Sequence, residues 1–304
     1  MNKPLVSISL ITYNSSNYIL DTLESIKAQT YSPLELVVSD DCSTDDTVEI
    51  CREWIEKNRE RFVSTKVVVA PKNKGISANY NRGMDNCTGE YIKEIAGDDM
   101  LLHNCVEDYV NFVTEHPEAY FCFGRAIVFD GNEERRKHYE QFFLYEYFQL
   151  PSKEQYRILL EEGNFICSAT FFYNRKKMIE LGIRNDERIP MMEDYPKWIN
   201  ILAKGGKLSF LDNEVAKYRM SSTGLSSQNE LPLRWRQQFA LLELLYRQPY
   251  ERKIKRLSPR KIWRRKMYAE QLLDKKWYRT IMLGTYEFIG DACRFITKKK
   301  IEKR

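Results

Sequence analysis

The chain has no Cys-x-x-Cys pair, only three histidines and no long apolar run. Each shortage excludes something. The seven cysteines (Cys42, Cys51, Cys87, Cys105, Cys122, Cys167 and Cys293) are scattered and odd in number. They indicate neither a disulfide framework nor a zinc site, and reduced thiols in a cytosolic setting are the simpler reading. His103, His116 and His138 show no ligand spacing. A membrane-crossing helix needs about 18 consecutive apolar residues, and no stretch approaches that. Met1-Asn2-Lys3-Pro4 leads straight into a strand-like run, so no signal peptide is expected. The first strand-to-helix loop, Asn14-Ser15-Ser16, lacks the glycines of a dinucleotide fold, which argues against an oxidoreductase.

What is present is a core and a lopsided charge. At 304 residues and 43% hydrophobic content, the chain suits one large domain with an appendage. The net charge of +5 hides an asymmetry. Residues 231–304 carry 21 Lys and Arg against 7 Asp and Glu, a net +14, which leaves −9 for the first 230. An acidic body with a basic tail is a partner signal, and nucleic acid and anionic membrane are the two obvious partners.

The first hundred residues alternate strand and helix. Leu5–Thr12, Leu34–Ser39, Thr65–Ala70 and Glu90–Ala96 read as buried strands. Helical spacing follows them over Asn17–Thr30, from Ser43 or Thr44 through Ile55, and over Ile76–Cys87. Such alternation predicts an α/β fold with a mostly parallel sheet, whose ligands sit at the carboxyl ends of the strands. That rule gathers four loops: Thr12-Tyr13-Asn14, Asp40-Asp41-Cys42-Ser43, Pro71–Gly75 and Gly97-Asp98-Asp99. Adjacent carboxylates are costly unless a positive charge joins them, and a divalent cation is the usual answer. After Met100 the pattern predicts a helix over His103–Glu115, a strand over Tyr120–Phe129, an exposed excursion over Asp130–Tyr147 and a strand over Phe165–Tyr173. A helix over Met191–Ala203, short strands over Leu208–Leu211 and Glu214–Arg219, and a polar loop over Ser221–Asn229 follow. Basic helices are expected over Leu231–Tyr246 and Ile262–Phe295.

These residues resemble family 2 glycosyltransferases of the GT-A fold. The resemblance is carried by Val6–Asn14, Glu35–Thr47, Asn73-Lys74-Gly75-Ile76-Ser77, Gly89–Ile92, Gly97-Asp98-Asp99, Met192-Glu193-Asp194-Tyr195 and Tyr218-Arg219, in order, from about Pro4 to Ser227. It implies a GT-A sheet flanked by helices over 1–230, with a nucleotide-sugar half to about 100 and an acceptor half beyond, followed by a basic helical extension over 231–304. It also implies a nucleotide-sugar donor, a UDP-sugar, with inversion at the anomeric carbon and a saccharide or lipid-linked acceptor in surface-polysaccharide synthesis. On this resemblance Thr12, Tyr13 and Asn14 line the base pocket. Asp40 or Asp41 reads the uracil imide, and Asn73, Gly75 and Asn81 flank the nucleotide. Asp98, with Asp99, holds Mg2+ or Mn2+, and Asp194 is the general base.

The chain also departs from the family pattern. Ala96 stands where an earlier Asp is common, Tyr80-Asn81-Arg82-Gly83 lacks the usual Arg-Asn, and no His follows Arg219. These departures motivate the alternative of a non-catalytic GT-A-fold scaffold. Arg219 is left with two roles, a phosphate contact or a carboxylate pair, and Arg82 with a phosphate contact or a plain helix-surface role. Leu231-Pro232-Leu233-Arg234-Trp235 has Arg-Trp without the Gln of processive synthases. Aromatics interleave the tail's basic residues, which suits peripheral contact with the cytoplasmic face of an anionic membrane rather than nucleic acid. A packed appendage with a solvated basic face is the alternative.

Overall fold

The structure is a computed structural model that describes residues 3–130, 133–134, 141–220, 238–239, 241–247 and 249–250. The polar loop after Met220 lies outside the described residues, as do the Arg-Trp dipeptide, His138 and nearly all of the basic tail. The chain divides into two compact units, one of Met1–Gln155 with Phe165–Asn229 and the other of Tyr156–Asn164 with Glu230–Arg304. Every element described below that bears on the site belongs to the first.

The chain opens with β1 (Val6–Thr12), α1 (Ile19–Lys27), β2 (Leu34–Asp40), α2 (Thr47–Asn58), β3 (Ser64–Val69), α3 (Ile76–Asn86) and β4 (Tyr91–Ala96). All seven residues of β1 and of β2 are buried, because a parallel strand is covered on both faces. One face of β1 offers Val6, Ile8 and Leu10 to the core shared with Ile19, Leu23 and Ile26 of α1 and with Cys51 and Trp54 of α2. The other face lies under α3. Gly83 permits that approach, since a Cβ there would collide with Ser9 Oγ and stand 2.9 Å from the Ile11 side chain.

β5 (Met100–Leu101), α4 (Cys105–Glu115), β6 (Phe121–Asp130), β7 (Glu133–Glu134), α5 (Gln141–Gln149), α6 (Ser152–Glu162), β8 (Phe172–Asn174), α7 (Arg175–Glu180), α8 (Asp194–Ala203) and β9 (Leu208–Arg219) follow. The sheet runs β3-β2-β1-β4-β8-β6-β9-β5, with β7 paired to β6. The first four strands are parallel, β8 is antiparallel to both β4 and β6, and β9 is parallel to β6. Among the described residues no helix is long and apolar enough to cross a membrane.

The second half corrects several expectations. Phe165–Tyr173 is not one strand. A 3-10 turn at Ser168–Thr170 precedes the three residues of β8. The carbonyls of Ala169 and Phe171 turn inward to the ammonium of Lys93, 2.7 and 3.4 Å away, which takes this stretch out of a simple ladder. Leu208–Arg219 is a single strand across its polar middle, with register shifts against β6 around Arg125. The excursion after Asp130 contains α5, whose Tyr147 and Phe148 are fully buried. α8 begins at Asp194, not Met191, and carries Pro196 in its first turn, where the missing N–H costs nothing.

Candidate active site

Strand register builds the site. Thr12 pairs with Asp40, Asp40 with Val69, and Ile11 with Ala96, so β1, β2, β3 and β4 end level with one another. Their following loops share one sheet edge, as the sequence predicts.

The loops after β1, β2 and β3 form one hydrogen-bonded block. Asp40 is fully buried and accepts from Thr12 Oγ1 at 2.9 Å, from the Ser43 amide at 2.8 Å and from Ser43 Oγ. Asp41 is buried too. One of its oxygens accepts the amides of Lys74 and Gly75 at 2.9 and 2.7 Å, and the other accepts from Arg82 at 3.0 Å. Arg82 also reaches Asn79 Oδ1 and the Asp40 carbonyl, so it is a partly buried clamp and not a plain surface residue. Asn79 in turn donates to the Thr12 carbonyl. Asn14, at φ +50°, accepts from the Thr44 amide, while Tyr13 stays about half exposed at the rim. Asn73 accepts from the Gly75 amide at 3.1 Å.

Gly75 stands at φ +93°, and a Cβ on it would lie 2.6 Å from the Pro190 carbonyl oxygen. That contact belongs to a second set of bonds, between α3 and the segment leading to α8. Ser77 donates to the carbonyls of Ile189 and Pro190, through Oγ and N respectively. Asn81 is buried, donates to the Asn185 carbonyl and to Glu187, and accepts from the Asn185 amide at 2.9 Å. Both ends of its amide tie α3 to the segment that leads to Asp194.

The loop after β4 is different in kind. Asp99 is buried, and its carboxylate accepts the Arg219 amide at 2.9 Å. Burial, and then the charge of Asp98, push Asp99 well above the usual carboxylate range, against the pull of Lys93 and Arg219. Burial also raises Asp98, which Arg219 partly offsets. The Arg219 guanidinium donates to the Asp98 carbonyl at 2.9 Å and pairs with Asp21 at 2.8 Å, over the rings of Tyr18 and Phe129. The carboxylate with which Arg219 pairs is Asp21, a surface residue and not a core one.

Two features escaped the sequence. Burial, then the charge of Asp194, push Glu193 up to about 8, with Lys197 pulling the other way. Tyr80 is buried among Glu193, Glu94, Asp99 and Asp98, whose charges add to burial in raising its hydroxyl well above its ordinary value. Tyr80 thus marks the meeting of the β4 loop and the start of α8. Asp194, half-buried, accepts its neighbour's amide, that of Tyr195, at 2.7 Å. Cys167 lines a mostly apolar cavity together with Phe123, Phe148, Phe165 and Phe210. Burial, and then Asp99 among its neighbours, push the Cys167 thiol up to about 12, with Asp194 adding to the same effect.

Among the described residues no group of three or more His, Cys, Asp or Glu side chains could hold a metal ion alone. Asp98 and Asp99 supply two hard oxygen donors that are short of positive charge. Mg2+ and similar ions take one or two protein carboxylates and complete their shell with phosphate oxygens and water. The donor set fits an ion that arrives with a diphosphate.

The profile of glycosyl transferase family 2 matches residues 7–182 of this chain. The chain belongs to that family. It is a glycosyltransferase of the GT-A fold, as its sheet order and its similarity to solved structures agree. It is 27% identical over 226 residues to TuaG of Bacillus subtilis, named as a teichuronic acid biosynthesis glycosyltransferase, covering 74% of this chain and 82% of that protein. It is 26% identical over 227 residues to WfaP of Escherichia coli, named as a UDP-Glc:alpha-D-GlcNAc-diphosphoundecaprenol beta-1,3-glucosyltransferase, covering 73% and 80%. S. aureus TarS 1-349 in complex with UDP superposes with a TM-score of 0.57 at 23% identity, over 71% of this glycosyltransferase and 61% of that chain. That likeness is one of fold, and this glycosyltransferase spans about three fifths of the solved chain.

Proposed function

We propose that this glycosyltransferase moves a sugar from a UDP-sugar to a saccharide or lipid-linked acceptor, with inversion, in the synthesis of a cell-surface polysaccharide. One observation carries the reading. The level ends of β1, β2 and β4 put the hydrogen-bonded loop block and the raised carboxylates of Asp98 and Asp99 on one sheet edge, and Tyr80 lies among Asp98, Asp99 and Glu193, the residue before Asp194 at the head of α8. In this reading Thr12, Tyr13, Asn14, Asn73 and Gly75 border the base and ribose. Asp40 or Asp41 reads the uracil imide in this reading, and both also hold together the loops that frame it. Asp98 and Asp99 would hold Mg2+ or Mn2+, which supplies positive charge to the leaving diphosphate. Asp194 takes the acceptor hydroxyl proton as it attacks. The names of TuaG and WfaP support a polymer-building or diphosphoundecaprenol-linked acceptor. Residues 1–230 form the catalytic domain in this reading, and the +14 tail of 231–304 is a peripheral contact for anionic membrane.

The test is hydrolysis and transfer with a panel of UDP-sugars, with Mn2+ or with EDTA. Asp194→Asn is expected to keep donor and metal binding while kcat falls about 100-fold. Normal kcat in this variant moves the base elsewhere, and full activity in EDTA removes the metal. Sedimentation with anionic liposomes, weakened by salt, tests the tail; no sedimentation at low salt rules the contact out.

A further inference from the structure

We propose that the buried pair of Glu94 and Lys197 is a positioning device that sets Asp194 at its working distance from Asp98 and Asp99. The proposal rests on the reading of these aspartates given above. Glu94 lies on β4, four residues before Asp98. Lys197 lies on α8, three residues after Asp194, within the same turn. Their charged atoms meet at 2.7 Å, with side chains 2% and 4% exposed. The other Glu94 oxygen accepts from the Tyr173 hydroxyl at 3.1 Å. The Lys197 ammonium stands over the rings of Tyr80, Phe171 and Trp198, at 4.9, 5.2 and 5.2 Å.

Holding a helix on a sheet does not call for a buried ion pair. Apolar side chains of similar volume do so without the desolvation cost of two charges. Trp198 already packs against Phe123 and Phe171 in this way, at ring separations of 4.8 and 4.5 Å. What packing of that kind lacks is direction, because an apolar contact tolerates a small slide of the helix. The pair does not, since its bond is short and each partner is enclosed. It therefore fixes the register of α8 along β4, the coordinate that separates the base from the metal loop. A misplacement of about 1 Å between reacting groups costs about 100-fold in rate, so such a device has a use here.

The test uses the full-length protein and three variants: Glu94→Gln, Lys197→Met and the two combined. Either single change strands a buried partner and lowers the melting temperature. The combined variant removes both charges, keeps an acceptor for Tyr173 and regains most of that loss. With UDP and Mn2+ as the binding probe, its affinity stays within about twofold of the parent. With hydrolysis of UDP-glucose or UDP-N-acetylglucosamine, water standing in for the acceptor, its kcat falls about tenfold or more at unchanged KM. Amide hydrogen exchange at residues 194, 195 and 197 quickens in it, while exchange in β1 and β2 does not change. Parental kcat in a combined variant with recovered melting temperature overturns the proposal. So does parental exchange in the first turn of α8. If the parent itself neither binds UDP with Mn2+ nor hydrolyses a donor, the functional reading fails. The exchange measurement then still decides whether the pair fixes the helix.

Discussion

Asp40–Asp41 and Asp98–Asp99 are both pairs of adjacent carboxylates at or just beyond the ends of β2 and β4, the two parallel strands that flank β1, and they are in opposite condition. The first pair is answered by donors from Thr12, Ser43, Lys74, Gly75 and Arg82. The second has the Arg219 amide on Asp99 and the charges of Lys93 and Arg219, which do not offset burial, so that both of its members are raised above their ordinary value. The difference separates two jobs. Carboxylates with enough donors hold loops still, whereas carboxylates short of positive charge suit the cation proposed above. A buried ionisable group that costs stability is a functional candidate for that reason.

The comparison makes opposed predictions for the two pairs. Asp98→Ala is expected to lower metal-dependent turnover by about 1,000-fold, the size of losing several kcal/mol of charge stabilisation. Its metal-free stability should hold or rise, because a carboxylate whose folded pKa is raised opposes folding once it ionises. Asp41→Ala should do the reverse in metal-free protein. It strands Arg82 and two amides, so stability falls by about 3 kcal/mol. Chemical denaturation of both variants in EDTA reads this directly. Equal losses of stability would mean the two pairs do not differ in kind.

A pH scan sharpens the same point at Glu193. Burial first, then Asp194 and more weakly Glu94, raise its folded value to about 8 against an ordinary 4.5, with Lys197 lowering it. Between those values the native state holds a proton that the unfolded chain has released. Stability from this group is therefore full at low pH and is lost as pH rises through about 8. Asp98 and Asp99 act in the same direction. Glu35 and Asp45, which hydrogen bonds hold below their usual values, act oppositely, and only as pH falls below the ordinary carboxylate range. Metal-free protein should thus melt at lower temperature at pH 8 than at pH 5, and Glu193→Gln should flatten the slope. An unchanged slope would place the proton elsewhere.

The edge built by β1, β2 and β4 was legible because buried parallel strands read as short apolar runs and their loops as polar punctuation. Glu35, Lys93 and Glu94 did not disturb that reading, since their apolar neighbours carried it. Legibility stopped where a residue's meaning depends on a distant partner. Glu94 and Lys197 are 103 residues apart, and Asn81 finds Asn185 across 104. Nothing local in either stretch names the other. Phe165–Tyr173 was misread for the same reason, because Lys93, far upstream, bends its carbonyls inward. The polar Asp212-Asn213 interrupted the apolar pattern of β9 without interrupting the strand.

The smallest predicted effect lies within the block of loops after β1, β2 and β3, at two residues with positive φ. Cys42 sits at +68° and Gly75 at +93°. A non-glycine residue in the left-handed region costs about 1–2 kcal/mol, and the bonds from Ser43 to Asp40 hold Cys42 there regardless. Glycine at Cys42 would remove that strain but add about 0.5–1 kcal/mol of backbone entropy to be lost on folding. Cys42→Gly is therefore expected to gain about 1 kcal/mol or less, with UDP affinity unchanged. Gly75→Ala faces both the positive φ and the Pro190 carbonyl oxygen 2.6 Å from its new Cβ, so that backbone must shift to admit it. It should lose more than the strain alone, about 2–3 kcal/mol, and disturb the approach to Asp194 as well. Thermal melts of the two variants settle the contrast. A loss of stability in Cys42→Gly would show that the half-buried thiol contributes more by packing than its backbone gives up by strain.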